Sequence, residues 1–141
     1  MIKRRTLAMA LALALGIMII RTPFISSFMS AQALESRKSD SDGVQVVVTP
    51  KSLDPAATTW DFEIVLDTHT KPLNDDMART SELIADGRSY APLGWQGDQP
   101  GGHHRKGTLS FARPTGPQKV IEVRINGIGS SAARTFRWEF P

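Results

Sequence analysis

The chain contains no cysteine. That excludes a disulfide framework, a lipid anchor carried on a cysteine, a thiolate zinc site and a cysteine-ligated blue-copper centre. Whatever folds here must be held by apolar burial and hydrogen bonds, which about 100 residues can supply with modest stability. Histidine is nearly as scarce, at three residues, so imidazole chemistry has few places to occur. Methionine is almost missing after residue 33, where Met77 stands alone, and a thioether-rich copper(I) site is thereby excluded. Acidic side chains are missing from the first 33 residues altogether.

What those 33 residues do contain is Lys3, Arg4 and Arg5, followed by an uncharged, mostly apolar stretch from Thr6 to Ile20. Positive charge stays on the cytoplasmic side while the apolar run partitions into lipid, which is the physics of a secretory signal. Ala31-Gln32-Ala33 has the small-x-small pattern of a cleavage site. Arg21 interrupts the apolar run, and Phe24, Ile25, Phe28 and Met29 could extend it along the interface. An uncleaved signal anchor with Arg21 reaching toward the head groups therefore stands beside a cleaved signal peptide for residues 1–33. Arg4-Arg5 with Thr6-Leu7 also loosely resembles a twin-arginine signal. Either way the remainder is expected outside the cytoplasm, membrane-anchored or secreted and periplasmic.

The sequence pI near 9.6 invites a nucleic-acid reading. Four of the seventeen basic residues precede residue 34, however, which leaves thirteen basic against fourteen acidic side chains in the rest. A phosphate-binding footprint needs clustered cations on the folded surface, so nucleic acid is not an expected partner.

Residues 34–43 are polar, serine-rich and charged, and read as a flexible linker. From residue 44 the apolar period becomes two, the signature of half-buried strands. Val44, Val46 and Val48 form one such row, ended by Pro50. Trp60, Phe62, Ile64 and Leu66 form the cleanest. Ser81–Ala85 and Arg88–Trp95 flank Asp86-Gly87, a dipeptide that suits a two-residue hairpin because both positions tolerate φ > 0. Leu109 and Phe111 mark a further strand, as do Ile121, Val123 and Ile125, closed by Asn126-Gly127. Phe136, Trp138 and Phe140 mark the last. Asn74–Arg79 is the only helix-like piece, with Asn74-Asp75-Asp76 resembling a turn or cap. About seven short strands over residues 44–141 predict a single all-β domain, an immunoglobulin-like antiparallel β-sandwich.

The three histidines fall at strand ends. His69 follows the strand ending at Asp67, and His103 and His104 lie in what reads as a long Gly/Pro-rich loop from Pro92 to Lys106. Imidazole with carboxylate suits copper(II) or zinc, which makes His69, His103, His104 and Asp67 the candidate metal ligands, with Asp98 nearby. Adjacent residues on extended backbone point to opposite sides, so His103 and His104 can share an ion only across a sharp turn. The plainer alternative is that one histidine hydrogen-bonds to the Asp67 region and the other is solvated. Asp67, Asp75 and Asp76 could hold calcium, although EF-hand spacing is absent. Trp95, Asp98 and Arg105 are further rim-loop candidates, Trp95 either as a binding aromatic or as a core lid. Gly127-Ile128-Gly129-Ser130-Ser131 precedes a strand rather than a helix, so it is neither a phosphate cradle nor a nucleophile elbow. A Ser110, His103, Asp98 set can be written down, but no spacing supports it, and the chain is not expected to be an enzyme.

The runs VTPKSLDPAATTWDFEIVLDTHT, YAPLGWQGDQPGGHHRKGTLSF and IEVRINGIG…RTFRWEF resemble a group of uncharacterised bacterial and archaeal exported or membrane-anchored β-sandwich proteins. The LDTH and GGHHR-like motifs are the most specific parts, the latter here spanning Gly101 to Arg105. The resemblance covers about Val46 to Phe140. It implies that His69, His103 and His104 belong to one shared design and supplies no catalytic residue. A looser likeness to small periplasmic copper-handling sandwiches rests on fold class and export alone. The expected role is a binding or accessory module of the cell envelope that meets a protein partner through rim loops at 67–80 and 92–106. Copper or zinc binding or delivery through the loop histidines is the alternative.

Overall fold

The computed structural model describes residues 34–141. The signal or anchor expected over residues 1–33 lies outside the described residues. Nine strands and one helical turn follow in the order β1 (Arg37–Ser41), β2 (Val44–Ser52), β3 (Thr59–Thr68), α1 (Met77–Thr80), β4 (Ser81–Ala85), β5 (Arg88–Tyr90), β6 (Pro92–Gly97), β7 (His104–Ala112), β8 (Val120–Ile125) and β9 (Arg134–Glu139). They form two antiparallel sheets, ordered β1-β2-β3-β7-β6 and β5-β4-β8-β9. The protein is all-β, as the period-two pattern predicts.

The alternation sorts side chains between core and solvent with little exception. Every second residue of β3, from Trp60 to Thr68, is buried, and the residues between are half exposed. The same holds for Val44, Val46 and Val48 in β2, Ile121, Val123 and Ile125 in β8, and Phe136 and Trp138 in β9. The sheets meet at Phe62, whose ring lies 5.8 Å from Trp138 of the opposite sheet and 5.8 Å, edge-on, from Phe111 beside it. Burying each such side chain contributes about 1.5–3 kcal/mol. These rows, together with Met77 of α1 and Leu73 and Ile128 from the loops, supply the cohesion that disulfides cannot.

Three local expectations need correction. Residues 34–43 are not a flexible linker. Arg37–Ser41 pair with Val44–Val48, and Asp42-Gly43 closes the hairpin with φ of 53° and 77°. The polar composition misled because β1 is an edge strand that buries no row of its own; its pattern is exposed almost throughout. Second, Pro50 does not end β2, which continues to Ser52 through a register shift. Pairing with β1 stops at Val48, so the missing N–H of Pro50 falls where β2 lacks that neighbour. Third, Arg88–Trp95 is not one strand. The chain leaves one sheet after Tyr90 and joins the other at Pro92, with a register shift between Pro92 and Gly94. Leu93, in that shift, is the one large apolar side chain left exposed among the described residues, at 63%.

The strand directions give the sandwich two distinct ends. At one lie the turns at 41–44, 68–80, 97–104 and 126–134, hereafter the rim. At the other lie 52–59, 85–88 and 112–120. With about 3.3 Å per residue, the ten residues of β3 set the ends roughly 30 Å apart.

Candidate functional site

All three histidines lie at the rim. The segment read as one long loop from Pro92 to Lys106 is largely a hairpin, in which only residues 98–103 are turn. Two glycines of this hairpin serve close approach. Gly97 and Gly107 face each other across β6 and β7. A Cβ on Gly97 would overlap the Gly107 backbone, and one on Gly107 would overlap the Trp95 ring. Trp95 lies over this gap as a lid, its indole Nε1 donating to the Asp98 carbonyl at 3.0 Å. It is half-buried and packs against the core.

Beneath the lid sits Arg105, 1% exposed. Its guanidinium carbon is 5.6 Å from the Trp95 ring centroid, within reach of a cation–π attraction. Nη1 donates to the carbonyls of Leu73 at 3.0 Å and Asp75 at 2.8 Å, and Nη2 to that of Asp98 at 3.3 Å. Nε is buried with no acceptor among the described residues. Burial lowers the Arg105 pKa from the usual arginine value, and the carboxylates of Asp75, Asp98 and Asp76 pull it partly back. One side chain thus ties the 68–80 segment to the β6–β7 turn. The Gly101 N–H adds a 2.8 Å bond to the Leu73 carbonyl, and Thr68 N–H a 2.9 Å bond to that of His103.

Arg134 repeats the device on the other side of the rim. It is 6% exposed and donates to Ser39 Oγ and to the carbonyls of Val44, Ser41 and Ile128 at 2.8–3.0 Å. Sequence reading missed it, although a signal existed. Arg134 is in phase with Phe136 and Trp138, and Arg105 with Leu109 and Phe111, so simple alternation puts both arginines inside.

The metal candidates are brought near one another but not together as a set. Asp67 and His104 are direct cross-strand partners, with Asp67 Oδ1 and His104 Nδ1 2.5 Å apart on the outer face of the sheet. His69 and His103 are both exposed, beyond the strand ends. Among the described residues no three His, Cys, Asp or Glu side chains are grouped so as to hold a metal ion. The acidic trio is likewise divided. Asp67 faces His104, Asp75 offers its carbonyl to Arg105, and Asp76 caps α1 by accepting from Ala78 and Arg79 N–H. Asp98 uses Oδ2 to accept the Lys106 N–H at 2.8 Å. Ser110 pairs with Asp61 toward the opposite end of β7 from His103, so the nucleophile set written from sequence is not assembled. Gly127 and Gly129 have φ of 78° and 75°, which is what that segment uses glycine for.

No helix among the described residues is long and apolar enough to cross a membrane. No protein-family model and no curated protein matches the chain.

Proposed function

We propose that the chain is an exported or membrane-anchored immunoglobulin-like module of the cell envelope, and that its rim is a binding surface for a protein partner. The observation that carries this is the Arg105 clamp. Loops that connect strands need not be fastened to each other, yet here a buried cation joins the 68–80 segment to the 97–104 turn through three carbonyls. Burying a guanidinium costs several kcal/mol before its hydrogen bonds are counted. Spending that on a rim makes sense when the rim must keep one shape, because a preorganised surface loses less entropy when it binds. The groups so presented are polar and exposed: His69, Asn74, Gln99 and His103.

The test is site-specific photocrosslinking of the full chain in envelope membranes of its native host. A photoreactive residue at Gln99 should capture a discrete protein partner, and one at Arg137, on the outer face of the other sheet, should not. Equal capture from both positions, or from neither, removes the rim from consideration.

A second reading rests on the Asp67–His104 pair. A carboxylate that holds Nδ1 leaves Nε2 free and oriented, which is how imidazole ligands of copper and zinc are commonly supported. Asp67 would then position the ligand rather than bind the ion, and His69 or His103 would have to swing in to complete the set. Titration with zinc or copper separates the readings: affinity weaker than about 10 μM, corresponding to roughly −7 kcal/mol, or affinity that survives His104→Ala, rules the metal out.

A further inference from the structure

The path by which residues 1–33 join the folded domain determines which end of the sandwich faces lipid. Leu34 packs against the core. The Glu35 carbonyl accepts from Trp138 Nε1 at 2.7 Å, Ser36 Oγ is 2.7 Å from Thr49 Oγ1, and Arg37 already pairs with Val48. The chain is fastened to the domain from its first described residue onward. β1 runs from Arg37 toward the rim, ending at Ser41 opposite Val44, so residues 36 to 34 lead back toward the other end. That end carries the turns at 52–59, 85–88 and 112–120. Its charged side chains include Arg88, Arg113 and Lys119, which form no salt bridge among the described residues, with Glu35 nearby and Glu139 opposite Val120, where it is paired with Arg137. The carboxylates of Asp54 and Asp86 there accept backbone N–H groups, Asp54 from Ala56 and Asp86 from Lys119 and Val120. A shallow polar groove between Arg88, Tyr90, Thr115 and Gln118 opens on the same end.

We infer that the end formed by 52–59, 85–88 and 112–120 rests on the bilayer surface, with Arg88, Arg113 and Lys119 toward anionic head groups, and that the histidine-bearing rim is held at the far side of the domain. The inference rests on the anchoring of residues 1–33 proposed above. Tether length sets the orientation. With Phe24, Ile25, Phe28 and Met29 along the interface, four residues separate Met29 from Leu34, and the five Cα-to-Cα steps between them span at most about 17 Å when fully extended. The domain's long axis, by contrast, is roughly 30 Å. A domain joined at one end by so short a lead keeps that end toward the membrane, and a partner would meet the rim from the aqueous side.

Because the chain has no cysteine, single cysteines can be placed in the intact protein without a background. Ala56→Cys and Thr115→Cys report on the end assigned to lipid, and Gln99→Cys and Ala132→Cys on the rim; all four positions are exposed. Each full-length variant, confirmed as folded by its circular dichroism, is labelled with an environment-sensitive fluorophore. It is then reconstituted into vesicles of phosphatidylcholine with phosphatidylglycerol, some carrying nitroxide-labelled head groups. The expected result is loss of fluorescence at 56 and 115 when the nitroxide lipid is present, with 99 and 132 unchanged and quenched by aqueous iodide instead. Quenching by lipid at 99 or 132 equal to that at 56 and 115 overturns the orientation while leaving the anchor intact. Failure of the unlabelled chain to float with the vesicles overturns the anchoring itself, and the orientation with it. Trp138→Phe, which removes the bond to Glu35, should blur the contrast between the two ends by loosening the join.

Discussion

Replacing Arg105 by alanine should cost the domain about 3–5 kcal/mol, the range found when one partner of a buried charged network is removed. The figure can be built from the site. Three hydrogen bonds from a charged donor, to the carbonyls of Leu73, Asp75 and Asp98, are lost; bonds of this type are worth about 1.5–3 kcal/mol each. Stacking on Trp95 adds about 0.5–2 kcal/mol. Against these stands the relief of no longer desolvating a guanidinium, which is why the sum falls well below the gross total. Set against a typical domain stability of about 5–15 kcal/mol, the loss is large and should lower the melting temperature by at least about 10 °C. Burial depresses the Arg105 pKa, and a base with a depressed folded-state pKa carries its cost at every pH below that value. The difference between wild type and variant should therefore be flat from about pH 5 to 9. Arg105→Lys keeps the charge but not the planar fork, and should recover less than half of the loss. Urea unfolding gives the energies, and native-state hydrogen exchange locates them. The N–H groups of Thr68, Asp98 and Gly101, which close the rim, should exchange faster in the variant by more than the global loss predicts for them. A loss below about 1 kcal/mol, or full rescue by lysine, would falsify the clamp.

Gly107→Ala should displace the Trp95 lid, giving a red-shifted tryptophan emission and a destabilisation of about 1–3 kcal/mol, since its Cβ would overlap that ring. An unshifted emission would mean that the lid has room. Gly129→Ala should cost more than Gly87→Ala in urea titrations. Both glycines have positive φ, but a Cβ on Gly129 meets Val44 Cγ2 at 2.8 Å whereas Gly87 faces open space. Equal costs would show that φ alone matters. Phe62→Ala should lose about 3–5 kcal/mol. It should also couple to Trp138→Leu in a double-mutant cycle by about 0.5–1.5 kcal/mol, because the two rings join the sheets; strict additivity would refute that contact. Arg137, its pKa raised by the hydrogen bonds it donates to Glu122 and Glu139 on the exposed face, should by contrast tolerate Arg137→Gln with little change in melting temperature, and a large drop would assign it a role beyond the surface.

How legible was the site? The strand rows were plain because each is a local property: Trp60, Phe62, Ile64 and Leu66 announce a buried face whatever they pair with. The Asp86-Gly87 turn was plain for the same reason, its φ of 44° and 82° being what that dipeptide tolerates. The β6–β7 hairpin was not, because Gly and Pro at 92–107 look like loop when counted by composition. Only the facing of Gly97 and Gly107 shows that they permit contact. The edge strand β1 was hidden because it buries nothing itself. The histidines were correctly placed at strand ends, but which of them meets Asp67 depended on cross-strand register, a relation between segments 37 positions apart.

Composition and alternation by themselves determined that this chain builds β-strands, which side of each strand is apolar, where the tight turns fall, and that no covalent staple supports the result. Those features depend on neighbours one, two or three positions away. Strand order, the exchange of sheets at Ala91, the carbonyls that meet the two inward arginines and the end at which residue 34 emerges were decided only by tertiary structure. Each depends on which distant backbone carbonyls and side chains arrive at the same place, and that is set by packing two sheets together rather than by any stretch of sequence read alone.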